Sequence, residues 1–340
     1  MKYYLIAGER SGDLHSANLM KGIKENDPNA EFRGWGGDMM QAEGMDLVTH
    51  YKDTAFMGFL EVAMNLRTIL GLMKKCKADI LTYQPDVIVL IDYPGFNLRI
   101  ASFAKSKGFK VFYYISPKVW AWNQKRAWKI KKNVDHMFVI FPFEIDFYKK
   151  YDFKVDYVGN PLMDAIEAFK PDPEFKVKNQ LDPVKPVIAL LPGSRTQEIT
   201  GMLDLMLSVQ NNFSDYQFVI AGVKNLPQSL YQKYIDSNKA VIVYESTYDL
   251  LSIADAALVT SGTATLETAL LNVPEVVCYK TSGFSYGIAK MVIKVKFISL
   301  VNLIMDKEVV CELIQDKLNT QNISSELASI LPGGQKRTKQ

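Results

Sequence analysis

Two short turns in the second half of the chain hold residues suited to binding an anion. In the first, the apolar run Val187–Leu191 leads into Pro192-Gly193-Ser194-Arg195. In the second, Ala256–Val259 leads into Thr260-Ser261-Gly262-Thr263-Ala264-Thr265, with Glu267 one turn into the helix that follows. A helix start presents unpaired N–H groups and the positive end of the dipole, and so attracts phosphate. Two such starts at the ends of neighbouring strands suit a diphosphate. Arg195 adds a fork for bidentate phosphate contact, and Glu267 lies within reach of ribose hydroxyls. Read alone, Ser194 and Gln197 form a capping box, S-x-x-Q, and Glu267 is a first-turn glutamate facing the dipole; the two turns together favour a nucleotide.

A different chemistry is written in the first half. Asp92 directly follows the apolar run Val87–Ile91 in Ile91-Asp92-Tyr93-Pro94-Gly95-Phe96-Asn97. A carboxylate at the carboxyl end of a central strand faces the ligand crevice of a doubly wound sheet, where a general base is needed. The plain alternative is a turn-organising aspartate, with Asn97 capping the next helix. The first loop, Gly8-Glu9-Arg10-Ser11-Gly12-Asp13, is G-x-x-x-G rather than G-x-G-x-x-G, and its carboxylates repel phosphate. Glu9, Ser11, Gly12 and Asp13 therefore suit sugar hydroxyls, with His15 one turn further on; the alternative is a helix cap at Ser11 or Asp13.

These residues need a scaffold of alternating strands and helices. The runs Tyr3–Ala7, Val87–Ile91, Val111–Ile115 and His136–Ile140 alternate with the helical patterns Asp13–Asn26, Asn97–Lys107 and Glu144–Tyr151, and Phe56–Lys75 is a longer helical candidate. Val187–Leu191, Phe218–Ala221, Val241–Tyr244, Ala256–Val259 and Glu275–Tyr279 repeat the pattern. The expectation is an α/β fold with two Rossmann-like parallel-sheet domains facing a central cleft. Residues 1–168 are expected to form the first domain, 169–186 a Pro-rich charged linker, and 187–330 the second, nucleotide-binding domain. Residues 331–340 read as a tail cut short.

Composition narrows the function. The 340 residues are 48% hydrophobic and 23% charged, with a net charge of +3 that is too weak to imply a nucleic-acid partner. Three scattered cysteines fit a reducing cytoplasm, and no long uncharged apolar run spans a membrane. Three distant histidines and the lack of any D-x-D predict no metal, and no cofactor is expected. Lys118 to Lys132 carries six cations and three of the four tryptophans, Trp120, Trp122 and Trp128. The segment holding Met57, Phe59, Leu66 and Leu70 is apolar nearly all round and ends in Lys74, Lys75 and Lys77. Met57, Phe59, Leu66, Leu70, Trp120 and Trp122 are thus expected to touch an anionic membrane surface, against the alternative of a core helix beside a solvated basic loop.

The ordered set of segments resembles the lipid-A-disaccharide synthase family, glycosyltransferases of the GT-B type. It comprises Ala7–Asp13, Ile91–Asn97, Ser116-Pro117-Lys118-Val119-Trp120-Ala121-Trp122, Leu191–Arg195, Thr260–Glu267 and Ser299-Leu300-Val301-Asn302-Leu303. The resemblance implies transfer of 2,3-diacylglucosamine from its UDP derivative to 2,3-diacylglucosamine 1-phosphate (lipid X) at the inner-membrane surface. It casts Asp92 as base and Gly193, Ser194, Arg195, Ser261, Gly262 and Thr263 as the holders of UDP. Glu267 would hold ribose, and Asn302 would lie near the donor. Gly95 stands where relatives often carry a second aspartate, and relatives usually continue into further C-terminal helices. A homodimer is left open. The rival readings are a UDP-sugar 2-epimerase, a glycosyltransferase acting on a polyprenyl-linked precursor, and a non-catalytic nucleotide-sugar binder.

Overall fold

The computed structural model describes residues 1–53, 66–224, 226–237, 240–281, 286–287 and 295–339. The chain divides into two units, Met1–Pro161 and Leu162–Gln340.

The first unit is built on β1 (Lys2–Ala7), β2 (Glu31–Gly36), β3 (Asp46–His50), β4 (Val87–Ile91), β5 (Lys110–Tyr114), β6 (His136–Val139) and β7 (Asp156–Tyr157). They lie in the order β3-β2-β1-β4-β5-β6-β7, every pair parallel. Every residue of β4, Val-Ile-Val-Leu-Ile, is buried, as a strand covered on both faces must be. The chain order reverses between β1 and β4, so their carboxyl ends flank the place where such sheets bind ligands. Gly12, in the helix Arg10–Asn26, lets that helix lie close on β1, since a Cβ there would come within 3.2 Å of Ala7 Cβ.

The second unit repeats the scheme with β8 (Val187–Leu191), β9 (Gln217–Gly222), β10 (Val241–Tyr244), β11 (Ala254–Thr260), β12 (Glu275–Tyr279) and β13 (Cys311–Ile314). Their order is β10-β9-β8-β11-β12-β13, again parallel, with the reversal between β8 and β11. Alternate residues of β8 serve two cores. Ile188 and Leu190 pack with Ile199, Met202, Leu203 and Met206 of the helix Thr196–Leu207. Val187, Ala189 and Leu191 pack with Leu250 and Leu251 on the other face. Truncating one of these buried side chains costs about 2–5 kcal/mol, so the strand ends are anchored.

The segment expected as a linker contributes to that second core: Phe175 and Leu181 are buried in it, and Asp172 N–H donates to Asp249 Oδ1 at 2.8 Å. The long helical candidate is observed as Leu66–Tyr83. Met57, Phe59 and the Leu66 side chain lie outside the described residues.

Candidate active site

In the first unit, Asp92 and Tyr93 form the one adjacent non-glycine pair, among the described residues, with left-handed backbone, φ 40° and 48°. Such strain persists only where neighbours impose it, and here two side chains do so. Asn97, wholly buried, sets Nδ2 at 3.1 Å from Ile91 O, 3.0 Å from Asp92 O and 3.3 Å from Ile6 O. The Tyr113 hydroxyl donates to the same Asp92 carbonyl. Asn97 is thus no helix cap; it sits inside the helix Pro94–Ser106 and pins the ends of β1 and β4 together. Burial, and then the nearby Glu9 carboxylate, push the Asp92 carboxyl up to about 6. Lys118 and the Tyr93 N–H pull the other way. A carboxyl poised there suits a general base near neutral pH.

The first loop divides. Glu9 is the helix N-cap residue, and its Oε1 accepts from Ser11 Oγ at 2.7 Å, so Ser11 caps nothing itself. Asp13 is buried, and its carboxylate accepts from the N–H groups of Gly37 (2.8 Å), Met39 (3.1 Å) and Met40 (3.1 Å). It caps the short helix Asp38–Ala42, which corrects the expectation of a sugar-binding carboxylate. His15 is half-buried, and burial lowers its pKa against the opposing pull of Glu9.

In the second unit the turns stand at the ends of β8 and β11, on either side of the reversal. Gly193 adopts φ +105°, and a Cβ there would collide with the Glu198 side chain. The capping box proves to be one residue out of the expected frame. Glu198, not Gln197, reaches back: its Oε2 accepts from Ser194 N (3.0 Å) and Arg195 N (3.2 Å). Its Oε1 accepts from Arg195 Nη1 at 3.2 Å. At β11, Ser261 Oγ donates to Ile298 O at 2.8 Å, so its hydrogen is already committed. The helix Thr263–Leu270 begins just after Gly262; the Thr265 N–H donates back to Gly262 O at 3.3 Å, which leaves the Thr263 and Ala264 N–H groups as first-turn donors. Burial raises the Glu267 carboxyl, while a 3.0 Å hydrogen bond from the Tyr248 hydroxyl lowers it.

Asn302 is wholly buried. Its Nδ2 donates to Val310 O and Glu312 Oε1, both at 2.9 Å, and its Oδ1 accepts from Val309 N (2.7 Å) and Val310 N (3.0 Å). All four hydrogen-bonding positions of the amide are filled within the protein, so in this arrangement it has none to offer the donor. Trp120 is also corrected: it is buried, and its Nε1 donates to Glu144 Oε1 at 3.2 Å. Burial pushes the Glu144 carboxyl up to about 7, although the N–H groups of Phe141 and Ile140 hold it down. Trp122, 44% exposed with the Arg126 guanidinium 4.7 Å from its ring centroid, and Leu70, 60% exposed, do face solvent.

Sequence reasoning missed Glu198, Tyr248, Tyr113 and Glu144. Only Glu198 had a local signal, its spacing from Arg195. It also passed over Gly283-Phe284-Ser285-Tyr286-Gly287, which matches the G-x-S-x-G spacing of serine hydrolases and lies mostly outside the described residues. Among the described residues no three His, Cys, Asp or Glu side chains are placed to hold a metal.

Two doubly wound parallel sheets, one ending in a poised carboxylate and the other in paired glycine-hydroxyl turns, define the GT-B class of nucleotide-sugar enzymes. A family model described as lipid-A-disaccharide synthetase matches residues 3–340. The chain belongs to the lipid-A-disaccharide synthase family and is a glycosyltransferase. It is 41% identical over 334 residues to the lipid-A-disaccharide synthase of Syntrophus aciditrophicus (strain SB), covering 96% of this chain and 87% of that one. It is 39% identical over 331 residues to that of Coxiella burnetii (strain RSA 331 / Henzerling II), covering 96% and 88%. Among solved structures, the UDP-GlcNAc 2-epimerase of Neisseria meningitidis bound to UDP-GlcNAc has a TM-score of 0.61 at 14% identity, over 96% of this chain and 98% of that one. A calicheamicin glycosyltransferase gives 0.59 at 14%, over 99% and 91%. Likeness at that identity speaks for the fold alone.

Proposed function

We propose that the protein transfers 2,3-diacylglucosamine from UDP-2,3-diacylglucosamine to lipid X with inversion, giving the β-1,6-linked disaccharide 1-phosphate and UDP. Asp92 takes the proton of the acceptor's 6-hydroxyl. The oxygen bonds to the anomeric carbon as the bond from that carbon to the UDP oxygen breaks, and UDP leaves with the electron pair. Arg195 and the helix start at Thr263 stabilise the leaving diphosphate, and Glu267 accepts from ribose hydroxyls. The reading is carried by Asp92, a carboxyl raised to about 6 at the strand end where the first sheet reverses.

Exposed Trp122 and Trp128, with Lys125, Arg126, Lys129 and Lys132 around them, support peripheral attachment to an anionic membrane surface, the cytoplasmic face of the inner membrane. Among the described residues no helix is long and apolar enough to cross a membrane.

The test is turnover of the purified protein with both lipids in detergent and excess chelator, products read by mass spectrometry and proton NMR. Disaccharide 1-phosphate and UDP in equal amounts are expected. Epimerised UDP-sugar, or no disaccharide from protein that binds UDP, would defeat the reading.

A further inference from the structure

The turn after β8 holds its own anion. Ser194 N–H, Arg195 N–H and the Arg195 guanidinium all point at one carboxylate, that of Glu198, at 3.0 to 3.2 Å. Gly193 serves this arrangement, because any side chain there would collide with Glu198. Two backbone N–H groups and a guanidinium are also the donors a phosphate oxygen takes. A diphosphate brought to the same donors would meet a like charge at hydrogen-bond distance, which is strongly unfavourable. The carboxylate has somewhere to go. Its side chain is 30% exposed, and with Arg195, Thr200, Tyr279 and Lys280 it lines an open pocket of about 920 Å³.

We propose that Glu198 is a positioning residue that stands in for the diphosphate. It keeps the Gly193–Arg195 turn in binding geometry while the site is empty, swings into the adjoining pocket when UDP arrives, and competes with UDP for the turn afterwards. This rests on the nucleotide reading above. Its consequence is that the carboxylate weakens UDP binding and speeds release of UDP as product. A purely structural cap would make no such difference.

The experiment is calorimetric titration of UDP and of uridine into the wild-type protein and Glu198→Gln. The glutamine keeps an acceptor for the turn and removes the charge. The expected result is UDP binding about fivefold tighter in the variant, the upper scale of one partly exposed charge interaction, with uridine affinity unchanged. Unchanged or weaker UDP binding in a variant that melts like wild type overturns the proposal. Should the variant not fold, carboxyl-13C and amide-15N spectra of the wild type decide: UDP must shift the Glu198 carboxyl together with the Ser194 and Arg195 amides, and a static Glu198 signal overturns it. Wild type that binds neither UDP nor uridine overturns the nucleotide reading and this inference with it.

Discussion

The two units share one topology and differ in what stands at the point of reversal. At the end of β4, desolvation and the nearby Glu9 carboxylate outweigh Lys118 and the Tyr93 N–H, so the half-buried Asp92 carboxyl holds its proton to about pH 6. At the ends of β8 and β11, hydrogen-bond donors are gathered instead, and the nearest carboxylate, Glu198, is itself fully engaged by them. One scaffold therefore places a carboxyl of raised pKa in one unit and gathered hydrogen-bond donors in the other, which is the contrast the proposed roles of base and anion cradle rest on. The strands determine where chemistry can occur, and a few loop residues determine its sign.

If labour is divided in this way, the two crevices respond separately to mutation. Asp92→Asn is expected to lower kcat by about a thousandfold while leaving the UDP dissociation constant unchanged; a matching loss of UDP affinity would merge the two roles. Arg195→Ala is expected to weaken UDP by about 30-fold, the value of a charge-assisted hydrogen bond, and to leave uridine binding alone.

The smallest effect is thermal. Folding raises the Asp92 pKa from 3.8 to about 6, so the folded state binds this proton more tightly than the unfolded state does. The stability this contributes is present at low pH and is lost as pH rises through 6. Asp92→Asn should therefore melt roughly 3 °C above wild type at pH 8, by differential scanning calorimetry, with the gap narrowing as pH falls toward 4. A gap independent of pH would mean that the carboxyl is not held against its charge.

Strands buried on both faces were the legible part of the chain. Val-Ile-Val-Leu-Ile of β4 and Val-Ile-Ala-Leu-Leu of β8 are continuous apolar runs, and the residues after them are where such sheets act. β2, Glu-Phe-Arg-Gly-Trp-Gly, and β13, Cys-Glu-Leu-Ile, have neither a run nor clean alternation, and only pairing with neighbours makes them strands.

Within the site, Asp92 was readable from its place in the chain, but its strain and raised pKa come from Asn97, Tyr113 and Glu9, brought in by the fold. The capping box was misread by one residue because Ser194 and Gln197 satisfy the same local rule as Arg195 and Glu198. Trp120 and Trp122 look alike in sequence. Two positions apart on the helix Val119–Trp122 they point opposite ways, one to Glu144 and one to solvent. The saturation of Asn302 depends on Glu312 and the 309–310 backbone, which no local pattern foretells.

The division of labour rests on Asp92 acting as a base with a pKa near 6. The direct measurement is kcat/KM for the acceptor lipid of the wild-type protein from pH 5 to 9, which reports ionisation in the ligand-free enzyme. The account predicts a single limb that rises tenfold per pH unit and levels off above about 6. A plateau that continues unchanged down to pH 5 would contradict it.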